Sequence, residues 1–424
     1  MTAGFDADRE ARRDLMLLVC NADSNAEAFA LYRELRPLLR GCSFVFPSGT
    51  GWQPGHAVHR TFENGTAVRG LFASEGVVVL DEETSVTMER EDSVTFQIDH
   101  SISLDTQALS YLTPFINGKA KLPPDMDAVF EFIARPEVPV DPEPYILENL
   151  ENLDVPSNLA PILGKLRGYE TLRTLDLKAL RDLGEVRSVL SQGELEMRAK
   201  YLLELAQTMR AHAEAVKEVW SRRDTMLALV LKMVVIEIGC KRASPQEKLS
   251  KFLDFCHSQI AAIHLRESAL ARAYFARGHS RMPFFGKMQK GCPPLDLPRL
   301  LNAMAWDLAH VKALELRHGS RWSGSARYFF PAFLTFDTGL AEVLDLVAIK
   351  AFAFMEGDRE PVIIYCDPVS RGGVLDDELG DRFFSEKARA DRAARLESCR
   401  ARLPSTIETL KAELASLCGR EGGP

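Results

Sequence analysis

The stretch SISLDTQALSYL, residues 101–112, hands a strand over to a helix at an aspartate. Ser101 to Leu104 has strand character, and from Thr106 onward the apolar residues fall at helical spacing. Asp105 stands between the two. Asp is a good helix N-cap, because its side chain accepts from the free N–H groups of the first turn. The C-terminal end of a strand is also where open α/β sheets place their sites. Capping and chemistry both explain the residue, and the rest of the chain has to separate them.

At 424 residues and 47.3 kDa the chain is long enough for two or three domains. Hydrophobic residues make up 46% and charged residues 26%, as expected of a soluble globular protein. The net charge of −8 argues against general polyanion binding, so any nucleic-acid contact needs a local basic patch. The eight cysteines show no CxxC pair and no zinc-ligand spacing, which favours free thiols in a reducing cytoplasm over disulfides. The N-terminus carries acids ahead of its short apolar run, unlike a signal peptide. The most apolar segment, TMLALVLKMVVIEIGC (225–240), holds Lys232 and Glu237 and is short for a bilayer span, so it reads as a buried helix. A cytoplasmic protein without a membrane partner is expected.

The fold class is α/β. Residues 1–92 read as a small N-terminal α/β domain, with LMLLVC, CSFVF, GVVVL and SVTMER as strands and NAEAFALYRELRPLL as a helix. The loop PSGTGWQPGH (47–56) lacks the Gly-Lys-Ser/Thr ending of a phosphate-binding loop. Residues 93–133 begin a core with the strand SVTFQIDHSISL and the helix after it. ARPEVPVDPEPY (134–145), rich in Pro and acid, reads as a linker, and it opens a helical insertion that runs to 222. The amphipathic helices of that insertion read as a packing or partner-binding module. Residues 223–384 resume the core through the strand YFFPAFLTFD, a helix over GLAEVLDLVAIKAFAFM and the strand PVIIYCD. Residues 385–424 form a charged helical tail, expected to be a solvated helix or a partner surface.

Four acids lie where cores dislike charge. Asp105 and Asp337 end apolar strands; Glu237 lies in LKMVVIEIGC and Asp307 in AMAWDLAHV. A buried carboxylate is paired, hydrogen-bonded or bound to a cation. Separately, Asp105 and Asp337 are explained as caps, Glu237 as the partner of Lys241 or Arg242, and Asp307 as bonded to His310 or to a nearby loop. Taken together, the four suggest one acidic pocket neutralised by a hard divalent cation.

In chain order, SISLDTQALSYL, VVIEIGCK, AWDLAHVKALE and FLTFDTGL resemble the acidic motifs of PIN-domain nucleases. The match runs through Asp105-Thr106, then Glu237 ahead of Gly239 and Lys241, then Asp307 with His310, and last Thr335-Phe336-Asp337. It covers residues 93–120 and 225–370. The resemblance implies a PIN-like parallel-sheet core with a large helical insertion, and a metal-dependent nuclease acting on RNA in preference to DNA. It implies that Asp105, Glu237, Asp307 and Asp337 are catalytic and hold Mg²⁺ or Mn²⁺, with Thr106, Thr335, Thr338 and His310 orienting carboxylates or water. Arg317, Arg321 and Arg327 in LRHGSRWSGSARY (316–328), and Arg281 and Lys287 in ARGHSRMPFFGKMQKG (276–291), are the expected substrate-side cations, with Phe284 and Phe285 as stacking groups.

The competing expectation is a non-enzymatic scaffold on the same core, whose charged helices bind a protein partner or a second copy. A phosphatase of the haloacid dehalogenase type needs a carboxylate two residues after Asp105, and position 107 is Gln.

Overall fold

The structure, a computed structural model, describes residues 2–421 except 50–58, 71, 73, 75, 89, 91–97, 119–120, 287, 289–295, 318–325, 359–360 and 367–376. Helices α1 (Thr2–Cys20) and α2 (Asn25–Leu35) lead into strands β1 (Cys42–Ser48), β2 (His59–Thr61), β3 (Ala67–Gly70) and β4 (Gly76–Leu80), then α3 (Glu82–Met88). Next come β5 (Ile98–Leu104), α4 (Thr106–Ile116), α5 (Met126–Ile133), β6 (Val140–Asp141) and α6 (Glu143–Glu148). A helical run follows: α7 (Pro156–Arg173), α8 (Leu177–Leu183), α9 (Gln192–Ala211), α10 (Ala213–Gly239) and α11 (Pro245–Phe255). It continues through α12 (Leu265–Arg277), the short α13 (Pro283–Gly286) and α14 (Leu297–Arg317). Strand β7 (Tyr328–Thr335), α15 (Thr338–Asp345), β8 (Ile349–Met355), β9 (Val362–Tyr365), α16 (Asp377–Phe384) and α17 (Glu386–Glu421) complete the chain.

The fold is mixed α/β, with two sheets among the described residues. One is antiparallel, in the order β4-β1-β8-β9. The other is mixed, in the order β2-β3-β7-β5-β6, with β6, β5 and β7 mutually parallel. Strand β7 is buried along its whole length, as its near-continuous apolar sequence requires of a strand covered on both faces. It runs parallel to β5 from Ile98 opposite Tyr328 to Leu104 opposite Leu334, so the two strands end side by side.

Several elements differ from the sequence reading. LMLLVC lies in α1, where Met16, Val19 and Cys20 are buried at helical spacing and Leu18 is 50% exposed. SVTMER falls mostly in α3, whose first turn is held by the Asp81 carboxylate accepting from Thr84 N–H at 2.7 Å. GLAEVLDLVAIKAFAFM divides into α15 and β8, and β8 is the strand that joins β1 to β9. Residues 1–92 do not close on themselves: β1 and β4 share a sheet with β8 and β9, and β3 pairs with β7. The linker-like 134–145 stretch supplies β6 and the start of α6.

The apolar segment at 225–240 is the C-terminal half of α10, buried from Met226 through Val230 and packed between α14 and α17. No described helix is long and apolar enough to cross a membrane. Cys20, Cys42, Cys240, Cys256, Cys366, Cys399 and Cys418 are free thiols.

Candidate active site at the ends of β5 and β7

Because β5 and β7 are parallel neighbours in register, the aspartates that follow them emerge on the same edge of the sheet. Asp105 N–H donates to Leu334 O at 3.1 Å, which zips the strands together up to their last residues. The buried Thr335 hydroxyl accepts from Asp337 N–H at 3.0 Å and donates to the Asp105 carboxylate, linking the two acidic residues through one side chain. Each aspartate caps the helix after it. Asp105 accepts from Ala108 N–H of α4, and Asp337 accepts from Gly339 and Leu340 N–H of α15 at 2.8 and 3.2 Å. Gly339 also lets α15 lie against α13, since a Cβ there would stand 2.6 Å from Phe284 N.

The two carboxylates sit in different surroundings. Asp105 is 7% exposed, and burial lifts its carboxyl from the ordinary 3.8 to about 6. The Thr335 and Ala108 hydrogen bonds oppose that rise, and the charge of Glu148 on α6 adds to it. Asp337 is half-buried. Glu148 in turn accepts from or donates to His310 Nε2 at 2.9 Å, the direction being set by the imidazole tautomer and the carboxyl proton. His310 is held by stacking on Trp306 and Phe333.

Glu148 is the carboxylate that the sequence reading missed. Its signal was local: VPVD followed by a helix with buried Tyr145 and Leu147 is a short strand and an amphipathic turn, which the prolines disguised as a linker. Glu237, expected in that role, is elsewhere. It is paired with Lys248 of α11 at 2.8 Å, with both side chains largely buried, close to the Tyr274 phenol of α12. That pair joins α10 to α11. Asp307 is half-buried on α14, one turn before His310.

The other expected residues separate in the same way. Thr106 has a buried hydroxyl with no hydrogen-bond partner among the described residues, and Thr338 is exposed at the start of α15. Arg317 pairs with Glu143, and Arg327 pairs with Asp81, so both charges are engaged within the fold. Arg281 is exposed. Phe284 and Phe285 are buried, with Phe285 stacked on Tyr274 at 3.8 Å between centroids, which removes them as base-stacking groups. Arg321 and Lys287 lie outside the described residues.

Mg²⁺ or Mn²⁺ was expected on a cage of four acids. Among the described residues no group of three or more His, Cys, Asp or Glu is placed to hold a metal, so that cage does not assemble. What remains is Asp105 with Glu148, whose charge adds to the raised proton affinity of the buried Asp105 carboxyl. No protein-family model, curated protein or solved structure matches this chain, so the functional reading rests on these residues and their geometry.

Proposed function

We propose that the chain is a metal-dependent nuclease with a PIN-like core, hydrolysing phosphodiester bonds at the ends of β5 and β7. RNA is the expected polymer, on the family resemblance alone. The observation that carries the reading is the buried Asp105 carboxyl, raised to about 6 where two parallel strands end, with the Glu148 charge beside it. A cap alone needs neither the burial nor the second acid. A divalent ion supplies a site of this kind with charge neutralisation and an activated water. The chain's own residues do the positioning: Thr335 aims Asp105, His310 holds Glu148, and Asp337 flanks the pair from the next strand.

The test compares wild type with Asp105→Asn, Glu148→Gln and Glu237→Gln on labelled single-stranded RNA and DNA with Mn²⁺. Asp105→Asn and Glu148→Gln should abolish cutting and the Mn²⁺-dependent rise in melting midpoint. Glu237→Gln should lower stability yet keep both. Cutting that survives in the first two variants, or an undiminished Mn²⁺ shift in them, sinks the reading.

A second reading, a partner-binding scaffold, draws on α9. Met197, Tyr201 and Leu205 recur every four residues along one side of that helix and are 66%, 60% and 46% exposed. A wild-type protein that cuts neither polymer, and whose midpoint ignores Mn²⁺, favours this reading.

A further inference from the structure

Helix α7 belongs to the insertion that the sequence assigned to packing, yet it carries a lysine into the candidate site. The approach is set by a missing side chain. A Cβ on Gly168 would stand 2.5 Å from Thr113 Oγ1, so α7 lies closer to α4 than any other residue permits. Thr113 Oγ1 donates to Gly164 O at 3.3 Å across the same contact. Three residues before Gly168 on α7 is Lys165, and three before Thr113 on α4 is Ser110. They meet, with Lys165 Nζ donating to Ser110 Oγ at 2.9 Å.

That ammonium is poorly placed for a purely structural lysine. It is half-buried over the Tyr145 ring, 5.0 Å from the centroid, and the Glu148 charge reaches it. Burial lowers its proton affinity, and Glu148 acts in the opposite sense. Among the described residues no carboxylate lies within ion-pair distance of Nζ. Ser110 Oγ donates to Thr106 O at 2.6 Å, and Thr106, directly after Asp105, carries the buried hydroxyl without a partner. A cation from α7 thus meets the helix that Asp105 caps, where the Thr106 hydroxyl is unsatisfied, and it feels the Glu148 charge. An ammonium placed to take a phosphate oxygen gives an acidic site its hold on a polyanion.

From this juxtaposition we infer that Lys165 is the phosphate-positioning residue of the site, binding a non-bridging oxygen of a nucleic-acid backbone next to Asp105 and Glu148. The inference rests on the nuclease reading above. It assigns substrate grip to the helical insertion rather than to the 316–328 loop, whose Arg317 and Arg327 are engaged in ion pairs. Lys165 reaches phosphate by leaving Ser110, and the Ser110 hydroxyl keeps its bond to the Thr106 carbonyl.

The probes are fluorescent single-stranded 12-mers of RNA and of DNA. Their binding to wild type, Lys165→Met, Lys165→Arg and Ser110→Ala is followed by anisotropy in EDTA over a range of salt. Cutting is followed separately with Mn²⁺. Lys165→Met should weaken binding several-fold and reduce the slope of log affinity against log salt by about 1, the signature of one lost phosphate contact. It should raise KM more than it lowers kcat. Lys165→Arg should restore most of the binding, and Ser110→Ala, which removes only the resting contact, should keep the wild-type salt slope. Wild-type affinity and salt slope in Lys165→Met, or in Lys165→Gln if Lys165→Met fails to fold, overturn the inference while leaving wild-type cutting intact. Absence of wild-type cutting overturns the nuclease reading instead, and absence of wild-type binding overturns both.

Discussion

At the scale of the residue, Asp105 does two jobs that conflict. As a cap it is worth about 1 kcal/mol to α4. As a buried carboxylate near Glu148 its rise from 3.8 to about 6 corresponds to about 3 kcal/mol lost when it ionises, an order-of-magnitude figure. Between those two values the folded chain holds the Asp105 proton more tightly than the unfolded chain does. Stability contributed by this group therefore falls as pH rises through that window, and the full cost applies above it. Asn keeps the capping oxygen and removes the charge. Asp105→Asn should accordingly raise unfolding free energy by about 1–3 kcal/mol at pH 8 in EDTA. The gain should shrink toward zero below pH 4, where Asp105 is protonated in both states. Urea titrations of the two proteins at several pH values give the answer, and a pH-independent difference would show that ionisation is not the cause.

Elements position those charges through close approaches that only small residues allow. The α4–α7 contact depends on Gly168, and Lys165 reaches Ser110 only while that contact holds. In an exposed helix Gly→Ala gains about 1 kcal/mol. At Gly168 the clash with Thr113 should reverse the sign, so that Gly168→Ala costs about 1–2 kcal/mol by chemical denaturation. Thr113→Ala in the same chain should recover most of that loss, because the obstructing hydroxyl goes with it, although its bond to Gly164 O is lost too. A double-mutant cycle reads this as a coupling well above the 0.3–0.5 kcal/mol of roughly additive sites. The strand ends show the same dependence on neighbours. Asp105 and Asp337 are ordinary caps taken singly, and they become a pair because Thr335 bonds to both.

Across the whole molecule, the two sheets are tied by a buried charge network as well as by a shared apolar core. Glu315 of α14, 1% exposed, receives Arg266 of α12 at 2.9 Å, Lys312 at 3.0 Å and the Tyr365 phenol of β9 at 2.8 Å. Arg266 also donates to Leu344 O of α15 at 3.2 Å. The network therefore joins β9, at the edge of the antiparallel sheet, to helices flanking β7. Burial alone raises the Glu315 carboxyl, and the Lys312 and Arg266 charges more than reverse the effect. Glu315→Gln leaves Arg266 buried beside a neutral group and should cost about 3–5 kcal/mol. Tyr365→Phe removes one hydrogen bond to a charged acceptor and should cost about 1.5–3 kcal/mol. If unfolding stays two-state, both losses appear in a single transition; a split transition in Glu315→Gln would mean that the sheets separate when the network is cut.

The sequence by itself determined the features that local chemistry dictates. Apolar runs marked β5, β7 and the buried half of α10, and an aspartate before a helical pattern marked the two strand ends. Periodicity and capping act over a few residues, which is why these were legible. The short α3 and the α15–β8 division were not, since runs of that length suit helix and strand alike until a partner chooses. Tertiary structure alone decided which charges meet. Glu148 joins Asp105, Lys165 joins Ser110, and Glu237 joins Lys248, each through the packing of one element against another. A carboxylate in an apolar run announces that it needs a partner, and whether that partner is a cation, a helix end or a lysine is settled only by what the fold packs beside it.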